Sequence, residues 1–198
     1  MTTLTKGKKM SQVSTNEIKP GMKIEMDNEP FLVVSNQFVK PGKGQAFNRI
    51  RLKNIKTSRV VEKTYKSGDK LDLADVEETQ MRLLYKEASE AIFMNDTTYD
   101  QFSVPFSIIE PNTHWLKEDI VYDVIFYKGS VIQVSQPTFM ELKIIESPPG
   151  VKGDTASGRV LKPATLETGA QIQIPIFIDE GEVVKVDTRT GEYVSRIS

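Results

Sequence analysis

The stretch FVKPGKGQAFNRIRLKNI, Phe38 to Ile55, sets one lysine between two glycines and follows it with an alternating run. A glycine-flanked lysine suits a phosphate-binding loop, a solvated turn, or a tip held out toward a partner. The phosphate-loop pattern needs a glycine five residues before Gly42 and a Ser or Thr after Lys43, and it opens a helix. Gln37 and Gly44 stand at those positions, and a strand-like segment follows. The preceding run, LVVSNQFVK, is strand-like as well, so the segment reads as a β-hairpin with Pro41, Gly42, Lys43, Gly44 and Gln45 as its tip loop. Glycines on both sides permit positive φ and leave Lys43 without bulky neighbours. Arms of about six residues would carry the tip on the order of 20 Å from the strand bases. In the second arm Ile50 and Leu52 share one face, and Arg49, Arg51 and Lys53 share the other. A half-buried strand shows that pattern; so does a cationic stripe, with Lys40 beside it, suited to a phosphate backbone.

Outward from the hairpin, alternation continues and few stretches keep a helical period. Expected strands are KIEM, PFLVVSNQFV, AFNRIRLKNI, RVVEKTY, ETQMRLLYK, EAIFMN, DIVYDVIFYKG, SVIQVS, MELKIIE, QIQIPIFI and EVVKVD. Turn signals fall between them at residues 19–21, 26–30, 66–69, 127–130 and 189–192. NDTTYDQFSV and PNTHWLKED read as short helices joining strands. Ile172, Ile174, Ile176 and Ile178 share a face, and Pro175 restricts their strand to an edge or a bulge. Many short strands with frequent turns predict an all-β chain of small barrels or sandwiches. Boundaries near SGDKLDLADVEE and SQPTFMEL divide it into modules at 11–73, 74–136 and 137–198, after a polar extension at 1–10.

The chain has 198 residues and a net charge of -1. Residues 1–73 hold 15 Lys+Arg against 7 Asp+Glu, whereas residues 74–198 hold 11 against 20. One part facing a polyanion would explain that split, and so would solvated faces. Residues 74–136, with 4 basic and 11 acidic side chains, suit a spacer or a protein contact better than an RNA-contacting face. The absence of cysteine excludes disulfides and thiolate metal sites, and His114 is the only histidine. His114 and Trp115 read as support for a core or helix of the middle module. Asp72, Asp75, Glu77 and Glu78 lack calcium-loop spacing, so neither a metal site nor a catalytic group is expected. No run reaches the ~20 apolar residues of a membrane helix, and a cytoplasmic protein is expected.

The hairpin resembles the tip of bacterial elongation factor P. PGVKGDTASG at 149–158, KPATLETGAQIQIPIFIDEG at 162–181 and VDTRTGEYVSRI at 186–197 resemble further motifs of that family, in order, so the resemblance covers residues 11–198. It implies an SH3-like barrel followed by two OB-fold barrels, in an elongated L shape similar to transfer RNA. It further implies a monomeric, non-enzymatic factor that binds both ribosomal subunits between the peptidyl and exit sites and relieves stalling at consecutive prolines. Lys43 matches the lysine that a modifying enzyme extends, often with a β-lysyl group, to reach along the CCA end of peptidyl-tRNA. Gly153, Asp154 and Thr155 match an element that approaches exit-site mRNA; as residues alone they also read as a tight turn. Tyr193 and Arg196 match positions expected to meet the small subunit or RNA, and Tyr193 reads equally well as core. A general single-strand nucleic-acid binder remains the other reading, although Phe47 is the one aromatic near the basic strand.

Overall fold

The computed structural model describes residues 11–150 and 160–197. β1 (Gln12–Ser14), β2 (Lys23–Met26), β3 (Glu29–Val39), β4 (Phe47–Asn54), β5 (Val60–Lys66) and β6 (Lys70–Leu73) form one sheet, ordered β1-β6-β2-β3-β4-β5. β7 (Val76–Lys86), β8 (Glu90–Met94), β9 (Gln101–Pro105), β10 (Val121–Tyr127) and β11 (Ser130–Ser135) form the second, ordered β11-β10-β7-β8-β9. β12 (Phe139–Glu146), β13 (Leu161–Leu166), β14 (Gln171–Pro175), β15 (Val183–Asp187) and β16 (Glu192–Ile197) form the third, ordered β14-β13-β12-β15-β16. A one-turn helix, α1 (Phe106–Ile109), and a 3-10 turn at Asn112–Trp115 complete the described elements. The chain is all-β, as the alternation predicts. None of the described helices is long and apolar enough to cross a membrane.

By proximity, the chain forms two compact units, Met1–Glu78 with Ile125–Gln133 and Thr79–Val124 with Val134–Ser198. The core of the first gathers Val13, Ile18, Ile24, Phe31, Val33, Ile50 and Leu52. β2 and β3 meet in a two-residue turn whose Asp27 and Asn28 both take positive φ, the geometry that matches hairpin twist. Lys128, in the β10–β11 turn, donates to the Glu25 carboxylate at 2.9 Å and to Asn28 Oδ1 at 2.7 Å, while the Tyr127 hydroxyl donates to Glu25 at 2.7 Å.

In the second unit the Tyr122 hydroxyl donates to the Trp115 carbonyl and accepts from the Lys117 amide, and burial pushes its pKa up to about 12. Trp115 does support a core, but that of the third sheet, with Met140, Leu142, Ile174 and Val184, and not that of residues 74–136. A side chain on a connection fills whichever core its backbone reaches. His114 remains exposed against the Trp115 ring.

Two local expectations fail. NDTTYDQFSV is a turn followed by β9, because Asn95 Oδ1 accepts from the amides of Thr97 and Thr98 and Tyr99 takes positive φ, which stops a helix. QIQIPIFI is a strand only to Pro175, after which the Ile178 amide donates to the Pro175 carbonyl and closes a turn. Ile178 is nevertheless fully buried, and β14 is an edge strand, where a proline is tolerated. The strand LKPATL was not expected. Its Pro163 lies past the end of the β12 ladder at Thr165, so the missing N–H breaks no bond there.

Candidate functional site

β3 and β4 pair from Phe31↔Asn54 to Val39↔Phe47, with a register shift between Val33 and Ser35 that leaves Val34 as an extra residue. Such a bulge bends a strand and increases its twist. β3 pairs with β2 only as far as Leu32, followed by bonds between Val33 and the 21–22 backbone. Past the bulge β4 is its strand neighbour. β4 alternates without interruption: Asn48, Ile50, Leu52 and Asn54 are buried, and Arg49, Arg51 and Lys53 are exposed. The outward face thus carries the three cations that the sequence places together. One carboxylate interrupts them, since Glu62 on β5 lies opposite Arg51 and pairs with Arg49 at 3.5 Å.

Between the arms, residues 40–46 form a seven-residue loop in which Lys40 and Lys43 are exposed. Gly44 takes φ +113°, a conformation that a side chain resists. Gly42 does not, and a Cβ there would meet nothing within 4 Å among the described residues. The fold therefore requires one of the two glycines, and the other keeps the tip slender.

A polar cluster at the hairpin's root escaped the sequence reading. Asn48, 2% exposed, donates from Nδ2 to Asn36 Oδ1 at 3.1 Å. Asn36 Nδ2 donates to the carbonyls of Thr15 and Ile18, both at 2.9 Å. Thr15 Oγ1 donates to the Lys66 carbonyl at 3.1 Å and accepts from the Gly68 amide at 3.0 Å. Strand, N-terminal segment and the turn after β5 are tied together. The available signal was Asn48 itself, an amide on the Ile50 and Leu52 face.

Tyr193 and Arg196 lie on β16, an edge strand of the third sheet. A spacing of three would put them on opposite faces of a regular strand. The β15–β16 register shifts at Val194, so Tyr193 lies opposite Val186 and Arg196 opposite Val184, both inward valines. Tyr193 packs against the third sheet's core, and Arg196 pairs with Glu182 at 3.5 Å. Tyr193 also lines a groove of about 1120 Å³ with Leu161, Ile176, Phe177 and Val194. Lys162, 6% exposed, donates to the Pro148 carbonyl at 2.9 Å. Gly153, Asp154 and Thr155, like residues 1–10, lie outside the described residues.

Three family descriptions match the chain in order: "Elongation factor P (EF-P) KOW-like domain" over residues 14–71, "Elongation factor P (EF-P) OB domain" over 76–134, and "Elongation factor P, C-terminal" over 140–196. The chain is 57% identical over 189 residues to "Elongation factor P 2" of Protochlamydia amoebophila, covering 96% of this chain and 100% of that protein. Identity to the protein of the same name from Chlamydia muridarum is 58% over the same shares. Among solved structures, the translation initiation factor 5A of Methanococcus jannaschii aligns over 64% of this chain and 95% of its own, with a TM-score of 0.51 and 21% identity. A translation initiation factor 5A family protein from Naegleria fowleri gives the same TM-score at 14% identity, over 64% of this chain and 98% of its own. At such identities these two structures speak to the fold alone.

Proposed function

The chain belongs to the elongation factor P family of translation elongation factors, and on that premise we propose that it assists the ribosome's own peptidyl transfer through Lys43. It binds between the peptidyl and exit sites beside peptidyl-tRNA and relieves stalling at consecutive prolines. Proline's φ is fixed and its amine is secondary, so prolyl substrates reach reactive alignment poorly. Holding them in alignment lowers an entropic barrier without an acid, base or nucleophile from the factor. The factor is accordingly not an enzyme and needs no metal or dissociable cofactor.

The single observation that carries this reading is Lys43 standing exposed at the end of a hairpin whose outward face bears Arg49, Arg51 and Lys53. Those cations, with Lys40, would hold RNA phosphates and leave the tip free to act. A lysine-modifying enzyme would extend Lys43 with a β-lysyl or similar group, adding reach and amine donors to RNA oxygens. The open space at Gly42 gives both that enzyme and a crowded RNA cavity room around the tip. Gly153, Asp154 and Thr155 would face exit-site mRNA through base edges or 2′-hydroxyls, since phosphate repels Asp154. Tyr193 and Arg196 would meet the small subunit. The protein acts as a cytoplasmic monomer divided near residues 73 and 136.

A reporter carrying consecutive prolines, read in cells lacking the native factor, tests the central claim. Lys43→Ala is expected to abolish rescue while leaving the melting temperature unchanged; rescue at the parental level would sink the reading. Peptide mass spectrometry of protein from its native host is expected to find added mass on Lys43. A bare lysine there refutes the extension.

A further inference from the structure

Toward the tip, the inward side chains of β4 change character. Leu52 and Ile50 are fully buried in the apolar core, but the next inward position is the amide of Asn48, and Phe38 across from it is 55% exposed. On β3 and β4 apolar packing therefore stops below the point where the hairpin leaves the barrel, and at this level only Tyr65 of β5, opposite Asn48, is among the described residues packed against the core. Backbone ladders remain: β5 pairs with β4 as far as Phe47↔Lys66, and the Ser67 amide donates to the Ala46 carbonyl. Ladders resist motion within the sheet and resist bending out of its plane much less. Out-of-plane bending at this root is opposed by the two bonds of Asn36 Nδ2 to the carbonyls of Thr15 and Ile18, and Asn48, donating to Asn36 Oδ1, orients the amide that makes them.

We propose that the Asn36–Asn48 pair is a positioning device that fixes the angle at which the hairpin leaves the barrel, and with it the aim of Lys43; its functional half rests on the reading given above. Leverage is the reason it matters. Lys43 is five residues from Asn48, an arm of at most about 16 Å, over which a rotation of about 5° at the root moves the tip roughly 1.4 Å. Misplacement on that scale can cost up to about a hundredfold in rate where alignment is the whole contribution. The chemistry of the pair also argues for aim over stability. Among the described residues, buried Asn48 Oδ1 has no hydrogen-bond partner, a cost that an apolar residue of similar volume would avoid. An amide at this position gives up stability and gains a directional bond to Asn36.

That contrast supplies the test. Asn48→Leu fills the volume and removes both the unpaired oxygen and the donor that orients the Asn36 amide, so it should keep or raise the melting temperature while loosening the Asn36 tether. Asn48→Ala removes the bond without adding bulk and serves as a second variant if leucine disturbs folding. The chain has no cysteine, so Lys43→Cys and Lys19→Cys can carry a pair of spin labels whose distance distribution reports the hairpin's angle. The Asn48 variants should broaden that distribution about twofold. A distribution of unchanged mean and width overturns the proposal whatever the activity.

The functional arm measures proline–proline bond formation on purified ribosomes against factor concentration. Loss of aim lowers the maximal rate by about tenfold at unchanged half-saturating concentration, a split that weakened binding or partial unfolding would not produce. An unchanged maximal rate for the Asn48 variants, where Lys43→Ala loses its rate, overturns the proposal. If Lys43→Ala keeps its full rate, the functional reading falls instead, and the spin-label distances still decide the tether.

Discussion

β4 and β16 each carry residues that the sequence marks for RNA or ribosome contact, and their ladders place those residues differently. β4 pairs with both neighbours so that its own alternation is unbroken, and Arg49, Arg51 and Lys53 all project outward, as a period of two dictates. β16 has a neighbour on one side and an extra residue at Val194, so that Tyr193 and Arg196 both stand opposite buried valines of β15, Tyr193 half-buried and Arg196 exposed. β4 presents all three cations to solvent; β16 packs its aromatic against a core and leaves Arg196 exposed, paired with Glu182 at the same 3.5 Å at which Arg49 pairs with Glu62. Residue type marks a candidate contact, and the ladder decides whether the side chain is available for it.

Adjacent residues of β4 give the sharpest contrast. Leu52→Ala removes a fully buried side chain from the first core and should cost about 2–5 kcal/mol in denaturant unfolding. Arg51→Ala, one residue away on the other face, should stay within about 0.5 kcal/mol of the parent. Its expected effect appears instead in ribosome binding measured against salt, as a slope reduced by about 1. If Arg51→Ala unfolds the barrel, or leaves the salt slope untouched, β4 does not divide its faces in this way.

Deleting Val194 tests the other strand. An unbroken ladder inverts every side chain on one side of the former bulge, so either Tyr193 leaves its core or the Arg196 end turns over. A loss of about 1–3 kcal/mol is expected for the deletion, against little change for Val194→Ala at this half-exposed position. A deletion as stable as the parent would mean that the bulge has no part in placing Tyr193.

These differences also explain what the sequence could and could not convey. The hairpin, its tip lysine and the outward stripe were legible because β4 obeys a strict period and turn chemistry brackets the loop. Glu62 beside Arg49 was not, because that contact depends on the β4–β5 register across the 55–59 turn. The Asn36–Asn48 bond depends on the bulge at Val34, and an extra residue in one strand leaves no mark in the period of the other. Trp115 was legible as a core residue but not its core, since tertiary packing chooses among the faces that a connection reaches. NDTTYDQFSV misled because Asn and Thr favour helix caps and tight turns for the same reason, side chains that bond nearby amides.

The smallest expected effects lie in two turns that respond to opposite ends of the pH scale. In the turn between β15 and β16, the Arg189 guanidinium and backbone amide hold the Asp187 carboxyl down, to about 2 from an ordinary 3.8. A carboxylate depressed in the folded state contributes fully above its unfolded value and loses that contribution as pH falls through the folded one. Asp187→Asn should therefore lower the melting temperature slightly at neutral pH, with the gap to the parent closing between about pH 4 and pH 2. In the first unit, hydrogen bonds to Glu25 and Tyr127 raise the pKa of Lys128 above the usual 10.5. A raised amine contributes fully below its unfolded pKa and loses that contribution as pH rises through the folded one. Lys128→Met should differ from the parent at neutral pH and converge with it above about pH 10.5. Both arginine and lysine here are well exposed, so high salt should shrink both gaps. If Asp187→Asn instead converges with the parent at alkaline pH, its carboxylate contributes through something other than the Arg189 contacts that hold its charge.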